Sequence, residues 1–195
     1  MAAARKPSLP NSHMYDREPI KLLRACEAVM IPAGTHVLIP EGTEVNVAQS
    51  LGGSFTVYVD GNLLRIAGKD ADALGREIQE GPKLPENPSD ADVEKLVWDQ
   101  LKTCYDPEIP INIVDLGLVY ECKLLPGDEG KKKIGVKMTL TAPGCGMGGI
   151  LVQDVKDKLE QVPTVQSADV ELVFEPPWSR EMMSEEAKLQ TGMYY

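Results

Sequence analysis

The feature that most restricts how this chain can fold is the run at 81–89, Gly-Pro-Lys-Leu-Pro-Glu-Asn-Pro-Ser. Proline fixes φ and supplies no backbone N–H, so a stretch with this many prolines can be neither helix interior nor central strand. It reads as a stiff linker, and it splits the 195 residues into two units. The expected organisation is a flexible tail over 1–24, a small β unit over 25–80, the linker over 81–89, a second domain over 90–178, and a C-terminal helix and tail over 179–195.

The first unit alternates short apolar runs with turn signals. Strands are expected at Ala28–Ile31, Thr35–Ile39, Thr43–Gln49, Ser54–Val59 and Leu63–Ala67. Pro32-Ala33-Gly34, Pro40-Glu41-Gly42, Gly52-Gly53 and Asp60-Gly61-Asn62 separate them. Phe55, Val57 and Val59 alternate with smaller or polar residues, and Leu64 and Ile66 return after the Asp60-Gly61 turn. Short strands so close together imply a small barrel or a curled sheet.

The second unit changes period. Val93, Leu96, Val97, Leu101 and Cys104 recur at helical spacing behind Ser89, with Asp92 in the capping-box position. Strands follow at Leu118–Leu125 and Lys133–Thr141, joined by a polar loop that suits an antiparallel pair. A helix over 147–162, a strand over Ser167–Phe174 and a last helix over Arg180–Gln190, closed by Gly192, complete the pattern. The fold class expected is α+β: a small all-β unit, then an α-β-β-α-β-α domain with helices on a small mixed sheet.

Composition narrows the function. A formal charge of −10 gives no bulk attraction for a phosphate backbone, so nucleic acid is not an expected partner. Only residues 1–24 carry net positive charge, from Arg5, Lys6, Arg17, Lys21 and Arg24. No apolar run approaches the ~20 residues that span a bilayer, and Met1–Pro19 is too polar for a secretory leader. The cysteines Cys26, Cys104, Cys122 and Cys145 stand singly, without the CxxC spacing of a zinc ribbon or redox pair. A reduced, cytoplasmic protein is expected.

One stretch concentrates chemistry: Thr139-Leu-Thr-Ala-Pro-Gly-Cys-Gly-Met-Gly-Gly. A strand enters a glycine-rich turn that opens a helix, and Cys145 falls at or beside the cap. Unpaired N–H groups and the positive end of the helix dipole there favour a thiolate. Ile134, Val136, Met138 and Leu140 should face the core, leaving Thr139 and Thr141 on an open face near Cys145. Cys26, Cys104 and Cys122 fall within apolar patterns and read as core. A second stretch, Asp106-Pro-Glu-Ile-Pro-Ile-Asn-Ile-Val-Asp-Leu-Gly, puts Asp106, Glu108 and Asp115 on one loop. These carboxylates could ligate iron, hold a partner's cation or cap turns, with turn capping the simpler reading for Asp106 and Asp115. The apolar residues Ile109, Ile111, Ile113 and Val114 in that loop must pack against something. The histidines, His13 and His36, have no motif around them, and no phosphate loop, dinucleotide fingerprint or HExxH is present.

Asp106-Pro-Glu, Asn112-Ile-Val-Asp-Leu-Gly-Leu-Val-Tyr, Met138-Thr-Leu-Thr-Ala-Pro-Gly-Cys and Val170-Glu-Leu-Val-Phe-Glu-Pro-Pro-Trp together resemble the small metal–sulfur cluster domain family. That family includes cytosolic iron–sulfur targeting factors and the phenylacetate-pathway accessory proteins of the PaaD type. The resemblance covers roughly residues 90–180. Gln49-Ser-Leu-Gly-Gly-Ser-Phe-Thr-Val, Asp70-Ala-Asp-Ala-Leu-Gly and Met182-Met-Ser-Glu-Glu-Ala-Lys-Leu-Gln-Thr-Gly-Met extend it to one branch over the whole chain.

The resemblance implies an auxiliary, non-enzymatic role in maturing iron–sulfur proteins, with assembly proteins and apo clients as partners. The functional positions it implies are Cys145 foremost, then Thr139 beside the cluster and Asp106, Glu108 and Asp115 toward metal. Many relatives follow the cysteine with proline, where this chain has Gly146. One thiolate cannot hold a cluster that ordinarily takes four ligands. A transient iron–sulfur cluster or iron is therefore expected rather than a tightly bound one, with further ligands from a client, a small thiol, the carboxylates or a second copy in a homodimer. The alternatives are a metal-free interaction module, in which the Ile109–Val114 loop docks a partner, and an accessory subunit of an oxygenase system.

Overall fold

The computed structural model describes residues 19–106, 109–142 and 148–192. Residues 19–75 form a six-stranded antiparallel sheet and a 3₁₀ turn. The strands are β1 (Ile20–Lys21), β2 (Cys26–Ile31), β3 (His36–Ile39), β4 (Glu44–Leu51), β5 (Ser54–Val59) and β6 (Asn62–Ile66). Their spatial order is β1-β4-β5-β6-β2-β3, an open sheet among the described residues. Asp60 at φ 48° and Gly61 at φ 80° make the tight β5–β6 turn whose twist suits a two-residue hairpin.

One face of this sheet is apolar: Cys26, Ala28, Val45, Phe55, Val57, Leu64 and Ile66 are all buried. The 3₁₀ turn over Gly68–Leu74 covers it with Ala71, Ala73 and Leu74. Arg24 fixes that cover, its guanidinium donating to Asp72 at 2.7 and 2.6 Å and to Asp70 at 2.8 Å. The Asp70-Ala-Asp-Ala-Leu-Gly motif is thus a lid on a small core. The start of this unit differs from the sequence expectation. β1 lies inside the stretch read as a tail, and Leu22 is buried. A two-residue strand has too little pattern to be seen, and only its pairing with Val45 and Glu44 makes it one.

The second unit begins with α1 (Asp90–Leu101), capped as the sequence requires: Ser89 and Asp92 form the reciprocal capping box. β7 (Val119–Pro126), β8 (Lys132–Met138), α2 (Gly148–Glu160) and β9 (Val165–Leu172) follow. β8 is central, antiparallel to β7 and parallel to β9, so the small sheet is mixed. α1 and α2 pack on one face over Ile134, Val136, Met138 and Ala168, with Val97, Leu101, Val155 and Leu159 from the helices. The opposite face is charged and solvated, with Lys123 paired to Glu121 and Lys133 to Asp128.

The C-terminal helix is shorter than the sequence implies. A 3₁₀ turn, Arg180–Met182, precedes α3 (Glu185–Thr191), and Ser184 caps α3 by accepting from the Ala187 N–H. Gly192 closes α3 in the left-handed conformation, as expected. Residues 76–89 hold no helix or strand, and the buried apolar residues fall into two separate clusters on either side of them.

Candidate functional site

The loop from Asp106 to Gly117 is built around its own side chains. Asp106 is 5 % exposed, and its Oδ1 accepts from the Ile109 N–H at 2.9 Å. Asn112 Oδ1 accepts from the N–H groups of Val114 and Asp115 at 3.1 and 2.9 Å, while its Nδ2 donates to Asp115 Oδ2. Both described carboxylates therefore hold turns, which is the capping use the sequence allowed. Ile111 and Ile113 are buried in the main core, with Ile109 and Val114 packed against it. The loop thus packs against the core as expected, which withdraws Ile111 and Ile113 from any partner and leaves Ile109 and Val114 partly exposed.

A C-terminal strap crosses the same loop. Trp178 Nε1 donates to the Leu116 carbonyl at 2.8 Å, Tyr120 Oη to the Pro176 carbonyl at 2.7 Å, and the Ser184 N–H to the Asp115 carbonyl at 2.8 Å. Gly117, at φ 70°, lies so close beneath the strap that a Cβ there would come within 2.7 Å of the Met182 carbonyl carbon. The Asp-Leu-Gly and Pro-Pro-Trp motifs, distant in sequence, are the two halves of one contact.

Thr139 lies just past β8. It is 1 % exposed, and its N–H donates to the Leu118 carbonyl at 2.8 Å. The open face expected for Thr139 is corrected: the strand's end is enclosed, and only Thr141 is partly exposed. α2 starts at Gly148, where a Cβ would come within 2.8 Å of Leu140 and 3.3 Å of Leu172. That glycine lets the helix begin hard against the sheet, which answers its cost in helix propensity. Cys145 falls between Ala142 and Gly148 and, like Glu108, lies outside the described residues.

The other thiols are poorly placed for metal. Burial pushes Cys104 up to about 12 and Cys122 up to about 11, and burial raises Cys26. Metal binds the thiolate, so burial that raises these three thiols works against ligation. Among the described residues no group of three His, Cys, Asp or Glu side chains could hold a metal ion. Also among them, no helix is long and apolar enough to cross a membrane.

Sequence reasoning missed a polar junction between the two units. Arg65 on β6 pairs with Asp154 on α2, which also pairs with Lys158 at 3.4 Å, and Lys158 donates to the Thr103 carbonyl at 2.6 Å. Nothing in the local pattern marks Arg65 or Asp154, because their meaning depends on which faces meet. The Gly52-Gly53 motif does belong here: a Cβ on Gly52 would come within 2.8 Å of the Thr103 carbonyl carbon.

A small α-β-β-α-β domain, with an Asp-Leu-Gly loop held under a Trp strap, is the unit that carries the resemblance in sequence. The chain belongs to the family described as iron–sulfur cluster assembly protein, which matches residues 94–172. It is 47 % identical over 92 residues to an Fe-S protein maturation auxiliary factor of Porphyromonas gingivalis, covering 47 % of this chain and 84 % of that protein. It is 44 % identical over 88 residues to the Fe-S protein maturation auxiliary factor SufT of Staphylococcus aureus, covering 45 % of this chain and 96 % of that one. A crystal structure of a domain of unknown function from Bacillus anthracis is similar at 40 % identity and a TM-score of 0.46, over 52 % of this chain and 92 % of that one.

Proposed function

We propose that this protein is a non-catalytic auxiliary factor in the maturation of iron–sulfur proteins, carrying iron or a cluster transiently on Cys145 while an apo client is engaged. The observation that carries the reading is the 47 % identity to a protein named as such a factor, over most of that protein's length. Iron or cluster is cargo here. Cys26, Cys104 and Cys122 are disfavoured as ligands because their thiols are pushed upward. Cys145 remains, with the helix that follows it offering a positive dipole end. The remaining ligands come from outside the chain, because one sulfur does not complete a cluster's coordination. Soluble assembly proteins and apo clients of the cytoplasm are the partners.

The test is anaerobic reconstitution of wild type and Cys145→Ala, reading iron, sulfide and the absorption spectrum, followed by client maturation. Wild type should take up transferable iron and sulfide and speed maturation, and the variant should do neither. Equal client maturation by the variant overturns the reading. A metal-free adaptor is the second reading. It is favoured by Asp106 and Asp115 being engaged in turn hydrogen bonds. In that case the variant matures clients normally and neither form takes up iron.

A further inference from the structure

The relative matched over 96 % of its length by 88 residues has no room for a second unit, whereas this chain carries residues 19–75 as a folded sheet with its own core. The outer face of that sheet is mixed, with Arg65, Thr56 and Gln49 beside Val29, Ile31 and Leu51. Across its strands runs one register row, His36–Val29–Arg65–Thr56–Gln49, and this face meets α2 and the residues that follow α1. We propose that the α1–α2 end of the assembly unit is a protein-docking surface, and that residues 19–75 of this same chain are its occupant, latched by Arg65 on Asp154.

The contact has the character of a docked partner rather than of a continuous core. The two buried apolar clusters do not merge across it. Its centre is charged: the Arg65, Asp154 and Lys158 side chains are only 19, 9 and 12 % exposed. A cavity of about 40 Å³ lies within the contact, with Gln49, Thr56, Arg65 and Asp154 among its lining and Ile31 and Ile150 as apolar wall. That is room for water beside groups able to bond it. A wider cleft of about 410 Å³, with His36 and Lys69 on one wall and Gln153 and Asp157 on the other, flanks it. Contacts of this kind, charged at the centre and incompletely packed, typify interfaces between separable domains. At the far edge the Gly52 tip seats against Thr103, where any side chain would intrude on the carbonyl. A donor or client therefore meets this chain with the α1–α2 end already covered. The inference does not depend on whether Cys145 carries iron.

The test inserts a protease site between the exposed residues Glu77 and Ile78 of the full chain, which leaves Leu84 with the unit it packs against. The folded protein is cleaved and sedimented at about 100 µM, below the millimolar effective concentration that a short linker supplies. The two halves of the wild type should travel as one complex. Arg65→Ala should weaken the complex at least about tenfold, the modest end for losing one partner of a buried pair, since Lys158 stays with Asp154. Gly52→Val, at the opposite edge, should weaken it independently. Uncleaved variants are first checked for wild-type far-ultraviolet dichroism. Halves that separate in the wild type, or variants that hold together as tightly as the wild type, overturn the proposal.

Discussion

Gly117→Ala tests how the assembly unit is held together. Two costs act at this position. An alanine at φ 70° pays about 1 kcal/mol or more for the left-handed conformation. Its Cβ also cannot coexist with the Met182 carbonyl, whose carbon would lie 2.7 Å away, so the strap must lift. Lifting it threatens the bonds from Trp178 to Leu116, Tyr120 to Pro176 and Ser184 to Asp115, each worth about 1 kcal/mol. It also loosens Met183, which is buried beneath. The sum is about 4 kcal/mol. Gly130→Ala is the internal control: φ is 78° there, but nothing lies within 4 Å of the added carbon, so only the backbone cost of about 1 kcal/mol applies. Both tryptophans, Trp98 and Trp178, pack against the core of this unit, so urea unfolding followed by their fluorescence reports on it directly. Equal losses in the two variants would refute the reasoning, because the close approach would then carry no energy.

Other perturbations bear on particular residues. The Asn112–Asp115 bond predicts a non-additive double-mutant cycle: Asn112→Ala and Asp115→Ala together should cost about 1 kcal/mol less than their sum, measured by urea unfolding. Strict additivity would free Asp115 for another role. Cys104 is held up to about 12 in the folded chain against 9.0 for a free thiol, so its contribution is complete below pH 9 and is lost as pH rises toward 12. The stability gap between wild type and Cys104→Ala should therefore narrow by about 1.4 kcal/mol per pH unit above 9, and a gap constant to pH 11 would exclude this. In native protein at pH 8, one thiol per chain should alkylate rapidly and be located at Cys145 by peptide mapping. Rapid labelling of Cys104 or Cys122 would contradict their raised positions. Ser89→Ala should destabilise the second unit by about 1 kcal/mol through loss of the α1 cap, read from the same urea transition.

What the sequence determined by itself is whatever is local. The alternation through Phe55, Val57 and Val59, the 3.6-residue spacing behind Ser89 and the glycine after α3 each fix an element within a few residues, because periodicity and caps act over one or two turns. The family motifs were legible too, as spelling. Only the tertiary structure decided what they do. Asp106 and Asp115, open to ligation or turn capping in the sequence, hold turns, Thr139 looked open and is enclosed, and the Ile109–Val114 loop sends Ile111 and Ile113 into the core. Arg65 meeting Asp154, Gly52 meeting Thr103 and Gly117 meeting Met182 join residues tens of positions apart. Burial and charge pairing depend on which faces come together, and no local pattern encodes that encounter.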